Sequence, residues 1–334
     1  MTTLTRRVAL GMLGGAAAAG LGGRAVRAQG QLTPLTITME FSPGGAHIPF
    51  YIARQKGWFA EAGIDLTIKD GKGYAVTLNL VGANQSDLGF GPGSALAIAR
   101  PKGVPVKSIA TILQRSAYGL ILPKGSPLRK PEDFKGKAIV YTTGSVEAQF
   151  TEAFLAKGKL ARSDYKLVGV DAASKAAAVI SGKSDAACAP VPFYTGLLKG
   201  KQEIDALLFT DFGVNMVDIG ISASDDTIKQ KGPALKKFVE VMSRAWQYTR
   251  DGHQDEAAAA LRADRPDATI EAPSLVNMFN AYVELIDSPQ TRGKPIGTTS
   301  PELWAETIET LKGLNLVPKE TKPEEMYDLA FSPK

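Results

Sequence analysis

Cysteine is almost missing from this chain of 334 residues; Cys188 is the only one. No intrachain disulfide can form, so the fold must rest on its hydrophobic core. No cysteine lies near the amino terminus either, which excludes a bacterial lipoprotein. Histidine is nearly as scarce. His47 and His253 are the two, far apart in sequence, and that excludes a metal site built from several histidines. The chain lacks the G-x-x-x-x-G-K-[ST] loop that cradles phosphates. Its "GPGSA" stretch at 91–95 is not the G-x-S-x-G turn of a hydrolase nucleophile. These absences leave little support for an enzyme.

A surplus of one charge is also lacking in most of the chain. Residues 1–28 hold Arg6, Arg7, Arg24 and Arg27 and no acid. Setting these four aside from the 39 basic residues leaves 35 against 34 acidic ones, a net charge of +1. A nucleic-acid partner would call for a basic patch in the folded part, and none is visible.

A long apolar run is missing too. Residues 8–23 are uncharged and rich in Ala, Gly and Leu, but shorter than the ~20 residues that span a bilayer. The segment has the three parts of an export signal. Thr5, Arg6 and Arg7 supply charge, the uncharged run follows, and Val26 and Ala28 offer a small-residue cleavage site. The expected mature protein begins at Gln29 and is released into the periplasm. The arginine pair resembles the twin-arginine export motif, with Ala9 where Phe is common and Gly11 where Lys is common. The general secretory route is the alternative.

What is present is a repeat. "ANQSDLGFGPGS" at 83–94 aligns without a gap on "SGKSDAACAPVP" at 181–192, matching Ser86 with Ser184, Asp87 with Asp185 and Pro92 with Pro190. An apolar helix precedes each copy. Asn84 and Gly182 are residue types that tolerate the left-handed conformation closing a helix. Asp87 and Asp185 then open short apolar strands that end at proline, which cannot donate to a ladder. A repeat this far apart implies two similar lobes; a solenoid repeats every 20–50 residues or so.

Alternating strand and helix patterns run through the chain, with strands expected at 35–40, 64–69, 88–90, 106–113, 118–126, 165–170, 186–189, 205–212 and 216–224. A charged, proline-containing connector at 127–137 marks a change of unit. The expected division is an export signal at 1–28, a first part of lobe 1 at 29–121, lobe 2 at 122–212, and a return to lobe 1 with C-terminal helices at 213–334. Hinge crossings fall near 120–127 and 210–217. A helix is expected from Pro233, with Leu235, Phe238, Val239, Met242, Ala245 and Trp246 on one face.

"HIPFYIARQKGWFAEAGIDLTI", "GKGYAVTLNLVGANQSDLGFG" and "PEDFKGKAIVYTTGS" stand in that order. Together they resemble the nitrate/sulfonate/thiamine-precursor group of ABC-transporter solute-binding proteins, the NMT1/THI5-like family. Asn84 stands where that family usually has Gly. The resemblance implies an α/β, two-lobe periplasmic-binding-protein fold of type II. It also implies a small-molecule solute held between the lobes, delivery to the membrane permease of an ABC transporter, and a monomer. No cofactor and no metal are implied. Fungal relatives that make thiamine pyrimidine carry a cysteine-rich motif that this chain cannot match. A transcription factor's effector domain shares the fold, but a DNA-binding helix pair would occupy the place of the export signal. A periplasmic enzyme acting on a small heterocycle is the alternative function.

Ligands of open α/β sheets bind beyond the carboxyl ends of the strands. That rule selects Phe41, Ser42, His47, Tyr74, Gly93, Ser94 and Tyr118 in lobe 1, and Thr142, Thr143, Gly144, Ser145, Asp171, Pro190 and Phe193 in lobe 2. Tyr74 and Tyr118 are expected as aromatic walls. Ser145 caps its helix, alone or with a ligand contact as well. His47 either bonds the ligand or caps its own helix. Lys72, Arg115 and Lys175 are candidates to balance an anionic group, while Glu147 would oppose one.

Overall fold

The computed structural model describes residues 32–143 and 145–334; the expected export segment and Gly144 lie outside the described residues. Ten strands follow in chain order: β1 (Thr33–Thr38), β2 (Ile64–Lys69), β3 (Leu88–Pro92), β4 (Val106–Thr111), β5 (Tyr118–Pro123), β6 (Ala138–Thr142), β7 (Lys166–Val170), β8 (Ala186–Pro190), β9 (Ile204–Leu208) and β10 (Ile219–Ser224). They form two five-stranded sheets, β2-β1-β3-β10-β4 and β7-β6-β8-β5-β9. Helices cover both sheets.

In each sheet the strands that begin the lobe are parallel, and one antiparallel strand is inserted. β10 runs antiparallel between β3 and β4. β5 runs antiparallel between β8 and β9. Both inserted strands arrive from the other lobe, so each sheet is completed by chain that has just crossed over. The first crossing occupies 112–117, before β5, and so lies ahead of the expected 120–127. Tyr118 therefore opens a strand of the second lobe; it was assigned to the first. The sequence offers no turn residue at the true crossing, whereas Pro123 and Gly125 advertise the turn that follows β5.

The two copies of the repeat build the same joint. Asn84 and Gly182 both adopt positive φ, 57° and 70°. Asp87 Oδ2 accepts the Thr36 N–H of the neighbouring strand at 2.9 Å, and Asp185 Oδ2 accepts the Ala138 N–H at 2.8 Å. Ser86 donates to the Leu88 carbonyl and Ser184 to that of Ala186. A lysine supports each acid: Lys231 lies 2.7 Å from Asp87 and Lys137 3.3 Å from Asp185. Each aspartate thus satisfies a backbone donor at a strand start that the sheet ladder leaves open.

Ser224 ends β10 and caps the helix Asp225–Arg250, its side chain accepting the Thr227 N–H at 2.9 Å. Pro233 lies inside that helix, which corrects the expected start there. Ser224 and the acidic Asp225 and Asp226 suit a helix's positive end well enough to start it earlier. The apolar face runs as expected: Leu235, Phe238, Val239, Met242, Ala245 and Trp246 are all buried. Cys188 is fully buried in β8.

Replacing Asp87 or Asp185 by alanine should destabilise the fold by about 1–3 kcal/mol, since each leaves a backbone N–H without its charged acceptor. Asp87→Ala should cost more, because Asp87 is less exposed and its lysine is closer. Chemical denaturation checks this. Unchanged stability in both variants would contradict the structural role of the repeat.

Candidate functional site

The stretch after β1 in the first lobe and the one after β8 in the second meet where the Phe193 ring would lie 3.7 Å from a β-carbon on Gly44, and the two crossings form the boundary between the lobes. Asp218 fixes that boundary. It lies on the second crossing and is 3% exposed. Its carboxylate accepts the Ala117 N–H of the first crossing at 2.6 Å and the Ser116 hydroxyl at 3.4 Å. The Asp218 N–H donates to the Leu113 carbonyl at 3.0 Å. Asn215 adds a second tie, its Oδ1 accepting the Ser116 N–H at 3.1 Å. Burial raises the Asp218 carboxyl from the usual range to about 6; the N–H groups of Ala117 and Ile219 pull it down, and Glu40 adds to the rise.

Gly93 and Ser94 lie beside this clasp, and their N–H groups are already engaged. Gly93 donates to the Asp218 carbonyl at 2.9 Å and Ser94 to that of Val217 at 3.2 Å. A β-carbon at Gly93 would lie 2.8 Å from a Val217 methyl and 3.1 Å from the Trp304 ring. The glycine admits protein, and its backbone N–H is engaged by the Asp218 carbonyl. Tyr74 is also drawn inward. Its ring covers Gly91, and its hydroxyl donates to Ser222 at 3.0 Å.

In the second lobe Thr142, Thr143 and Ser145 are engaged in the same way. The Thr142 N–H donates to Glu147 at 2.7 Å, the Thr143 N–H to the Val170 carbonyl, and the Ser145 N–H to the Thr142 carbonyl. The Ser145 hydroxyl accepts the Glu147 N–H at 3.3 Å, while Val146 holds the N-cap position of the helix Glu147–Lys157. Asp171 is exposed and accepts through its carbonyl from Ser174. Pro190 precedes the helix Val191–Leu198. Phe41 and Ser42 are exposed on the rim of lobe 1. Phe193 reaches across, its ring edge 3.7 Å from where a β-carbon on Gly44 would sit.

Sequence inspection missed the partner of His47 and the tyrosines of the late helices. His47 is 4% exposed and meets Glu40 at 3.1 Å. Tyr282, on the helix Ala272–Val283, is raised well above its ordinary pKa by burial, with Glu40, Asp218 and Tyr194 adding to the rise. Tyr118 is raised in the same way by burial, with Glu147, Asp218, Cys188 and Tyr282 contributing. Tyr194 is pushed up to about 12 by burial and by Glu147. Tyr118 opens β5, Tyr194 lies on the helix Val191–Leu198, and Tyr282 lies on the helix Ala272–Val283 that packs against it across the lobes. Among the described residues, the hydroxyls of Tyr118 and Tyr282 have no hydrogen-bond partner.

Positive charge is not free there. Lys175 and Glu147 form a 2.7 Å pair, their side chains 2% and 6% exposed. Lys175 also donates to the Cys188 carbonyl at 2.9 Å. Arg115 pairs with Asp211 at 2.5 Å. Lys72 is exposed on the rim. A site with acceptors, phenol rings and a neutralised lysine suits a flat molecule that brings hydrogen-bond donors.

The family described as NMT1/THI5 like matches residues 45–257. The chain belongs to that family. A relative, the riboflavin-binding protein RibY of Chloroflexus aurantiacus, is 25% identical over 95% of this chain and 91% of its own length. A 4-amino-5-hydroxymethyl-2-methylpyrimidine phosphate synthase of Saccharomyces cerevisiae is 31% identical, over 46% of this chain and 44% of the synthase. Among solved structures, the periplasmic aliphatic sulphonate binding protein SsuA of Escherichia coli superposes with a TM-score of 0.69 at 17% identity, covering 90% of this chain and 92% of SsuA. The fold of this NMT1/THI5-like chain is thus the type II periplasmic-binding-protein fold, α/β in two lobes.

The Asp218 carboxyl makes stability depend on pH. Its folded pKa of about 6 lies above the ordinary 3.8, so the native state holds the proton more tightly than the unfolded chain. Stability from this group is full in acid and falls as pH rises through that window, by about 3 kcal/mol in all. Asp218→Asn keeps an oxygen to accept the Ala117 N–H and cannot ionise. Relative to wild type, this variant should gain stability between about pH 4 and pH 8. Denaturation at both pH values checks it; a constant difference would contradict the burial of the charge.

Proposed function

We propose that this protein is the periplasmic solute-binding component of an ABC importer. It captures an uncharged, flat nitrogen heterocycle of the pyrimidine or flavin class between its lobes and presents it to a membrane permease. The observation that carries this is the composition of the cleft: tyrosines and carboxylates from both lobes, with the buried lysine neutralised by Glu147. An anionic sulfonate or nitrate would have to displace Glu147 from Lys175 or sit near unpaired carboxylates. Breaking a buried ion pair typically costs about 3–5 kcal/mol. The names of the two relatives, one binding riboflavin and one making a pyrimidine phosphate, support the same ligand class. SsuA shares the fold alone.

Binding without catalysis is part of this proposal. Burial drives the Cys188 thiol far above its ordinary pKa, which leaves no thiolate nucleophile there. Equilibrium dialysis followed by mass spectrometry tests the function with riboflavin, 4-amino-5-hydroxymethyl-2-methylpyrimidine, butanesulfonate and nitrate. Saturable one-to-one uptake of a heterocycle, recovered unchanged, is expected. Uptake of the sulfonate or nitrate alone overturns the ligand class, and recovery of a chemically altered heterocycle makes the protein an enzyme.

Closure of the lobes is the expected mode of capture, and Gly196 offers a way to test it. This residue of lobe 2 packs against the helix Ala272–Val283 of lobe 1, where a β-carbon would collide with the Met278 backbone. Lys201 reaches Ser274 on the same helix at 3.3 Å. Gly196→Val should lower affinity for the captured heterocycle by at least about tenfold, a loss of roughly 1.4 kcal/mol, while each lobe stays folded. Calorimetry beside the thermal midpoint checks this. Full affinity in the variant would show that this contact is not needed for capture.

A further inference from the structure

Three carboxylates face the cleft neighbourhood, and they differ in what they already hold. Glu147 has both oxygens engaged, one by Lys175 and one by the Thr142 N–H. Asp218 is committed to the two crossings. Glu40 has a single partner, His47, on Oε2; among the described residues its Oε1 has none. Glu40 follows β1 on the first lobe, its side chain 17% exposed. Its partner His47 bonds Gly44, which faces the Phe193 ring of the second lobe, so Glu40 stands at the margin between the lobes.

The geometry around His47 fixes the ring's tautomer. The Gly44 N–H donates to Nδ1 at 2.8 Å, so Nδ1 is an acceptor and carries no proton. The proton of the neutral ring is therefore on Nε2, aimed at Glu40 Oε2 at 3.1 Å. The ring itself is wedged edge-on against Phe90, with centroids 5.4 Å apart. His47 consequently holds the Glu40 carboxylate in one orientation from behind and leaves the other oxygen as a fixed acceptor. Of the two roles read from the sequence, the capping one is present: His47 stands at the N-cap of the helix Ile48–Gln55, and its Nδ1 accepts the Gly44 N–H in the manner of a capping box.

We infer that Glu40 is the specificity-determining residue of the cleft: its Oε1 accepts a hydrogen bond from an amino or ring N–H group of the bound heterocycle, and His47 is the positioning residue that aims it. The inference rests on the heterocycle function proposed above. Both ligand types named there carry such a donor, the exocyclic amino group of an aminopyrimidine and the ring N–H of a flavin. A site built around a fixed acceptor selects strongly, because a ligand without the donor leaves a desolvated carboxylate oxygen unpaired. The same negative charge opposes anionic ligands, in keeping with the paired state of Lys175.

Calorimetry on the full chain tests this with matched ligands. Riboflavin is compared with 3-methylriboflavin, and 4-amino-5-hydroxymethyl-2-methylpyrimidine with the analogue lacking its amino group. Wild type should prefer the donor-bearing member of the pair it binds by at least about tenfold, the scale of one charge-assisted hydrogen bond. Glu40→Gln, nearly isosteric, should lose most of that preference with its thermal midpoint kept. His47→Ala should weaken binding of the donor-bearing ligand, and His47→Gln, whose amide can still donate to Glu40, should restore most of the loss. An unchanged preference in folded Glu40→Gln overturns the inference and leaves the heterocycle function standing, as does a wild-type protein that binds both members of a pair equally. Binding of butanesulfonate with no affinity for either heterocycle overturns the function itself, before any variant is made.

Discussion

One buried carboxylate holds together the two places where the chain passes between lobes. Asp218 leaves the second lobe, accepts the Ala117 N–H at 2.6 Å, and so ties the incoming crossing to the outgoing one. Its own backbone is held from both sides, its carbonyl by Gly93 and its N–H by Leu113. The consequence is geometric. β5 and β10 can each enter the opposite sheet only if the crossings stay side by side, and those inserted strands complete both sheets. The relation between the lobes, and with it the cleft, depends on this knot of hydrogen bonds. Burying the acid costs stability at neutral pH, and the N–H donors around it offset part of that cost.

The electrostatics of the cleft follow from which charges are already taken. Lys175 is the buried cation of the region, and Glu147 neutralises it at 2.7 Å. The pair also holds the end of β6, because the second oxygen of Glu147 accepts the Thr142 N–H. On the opposite lobe the neutral His47 donates to Glu40 and adds no charge to balance it. What remains open is one acceptor oxygen and the hydroxyls of Tyr118 and Tyr282, against aromatic surface. That inventory matches a ligand rich in donors and poor in negative charge.

Much of the framework was legible before the structure. The alternation of strand and helix patterns and the burial of Cys188 follow from period and composition, while the repeat and the family resemblance implied the two lobes. The repeat proved the most informative feature, since Asp87 and Asp185 perform the same task at equivalent strand starts. The first crossing was harder to place because 112–117 carries no glycine or proline, while the turn after β5 has both. The start of the helix Asp225–Arg250 was masked by Pro233, a strong local signal overruled by the Ser224 cap.

The site divides along the same line. Sequence alone determined where most strands end, because the alternation of strand and helix patterns marks those ends, and the strand-end rule then selected the loops. It also determined that no histidine cluster or disulfide could take part, since those residues are not there to be used. Only the tertiary structure decided which polar groups in those loops remain available. Gly93, Ser94 and Thr142 spend their N–H groups on protein partners far away in the chain or across a loop, and Tyr74 spends its hydroxyl on Ser222. Glu40 gains its fixed orientation from His47, and Tyr282 comes from a helix that no strand-end rule selects. Hydrogen-bond availability is a property of three-dimensional neighbours, and a buried group's partner is set by packing that no local pattern records.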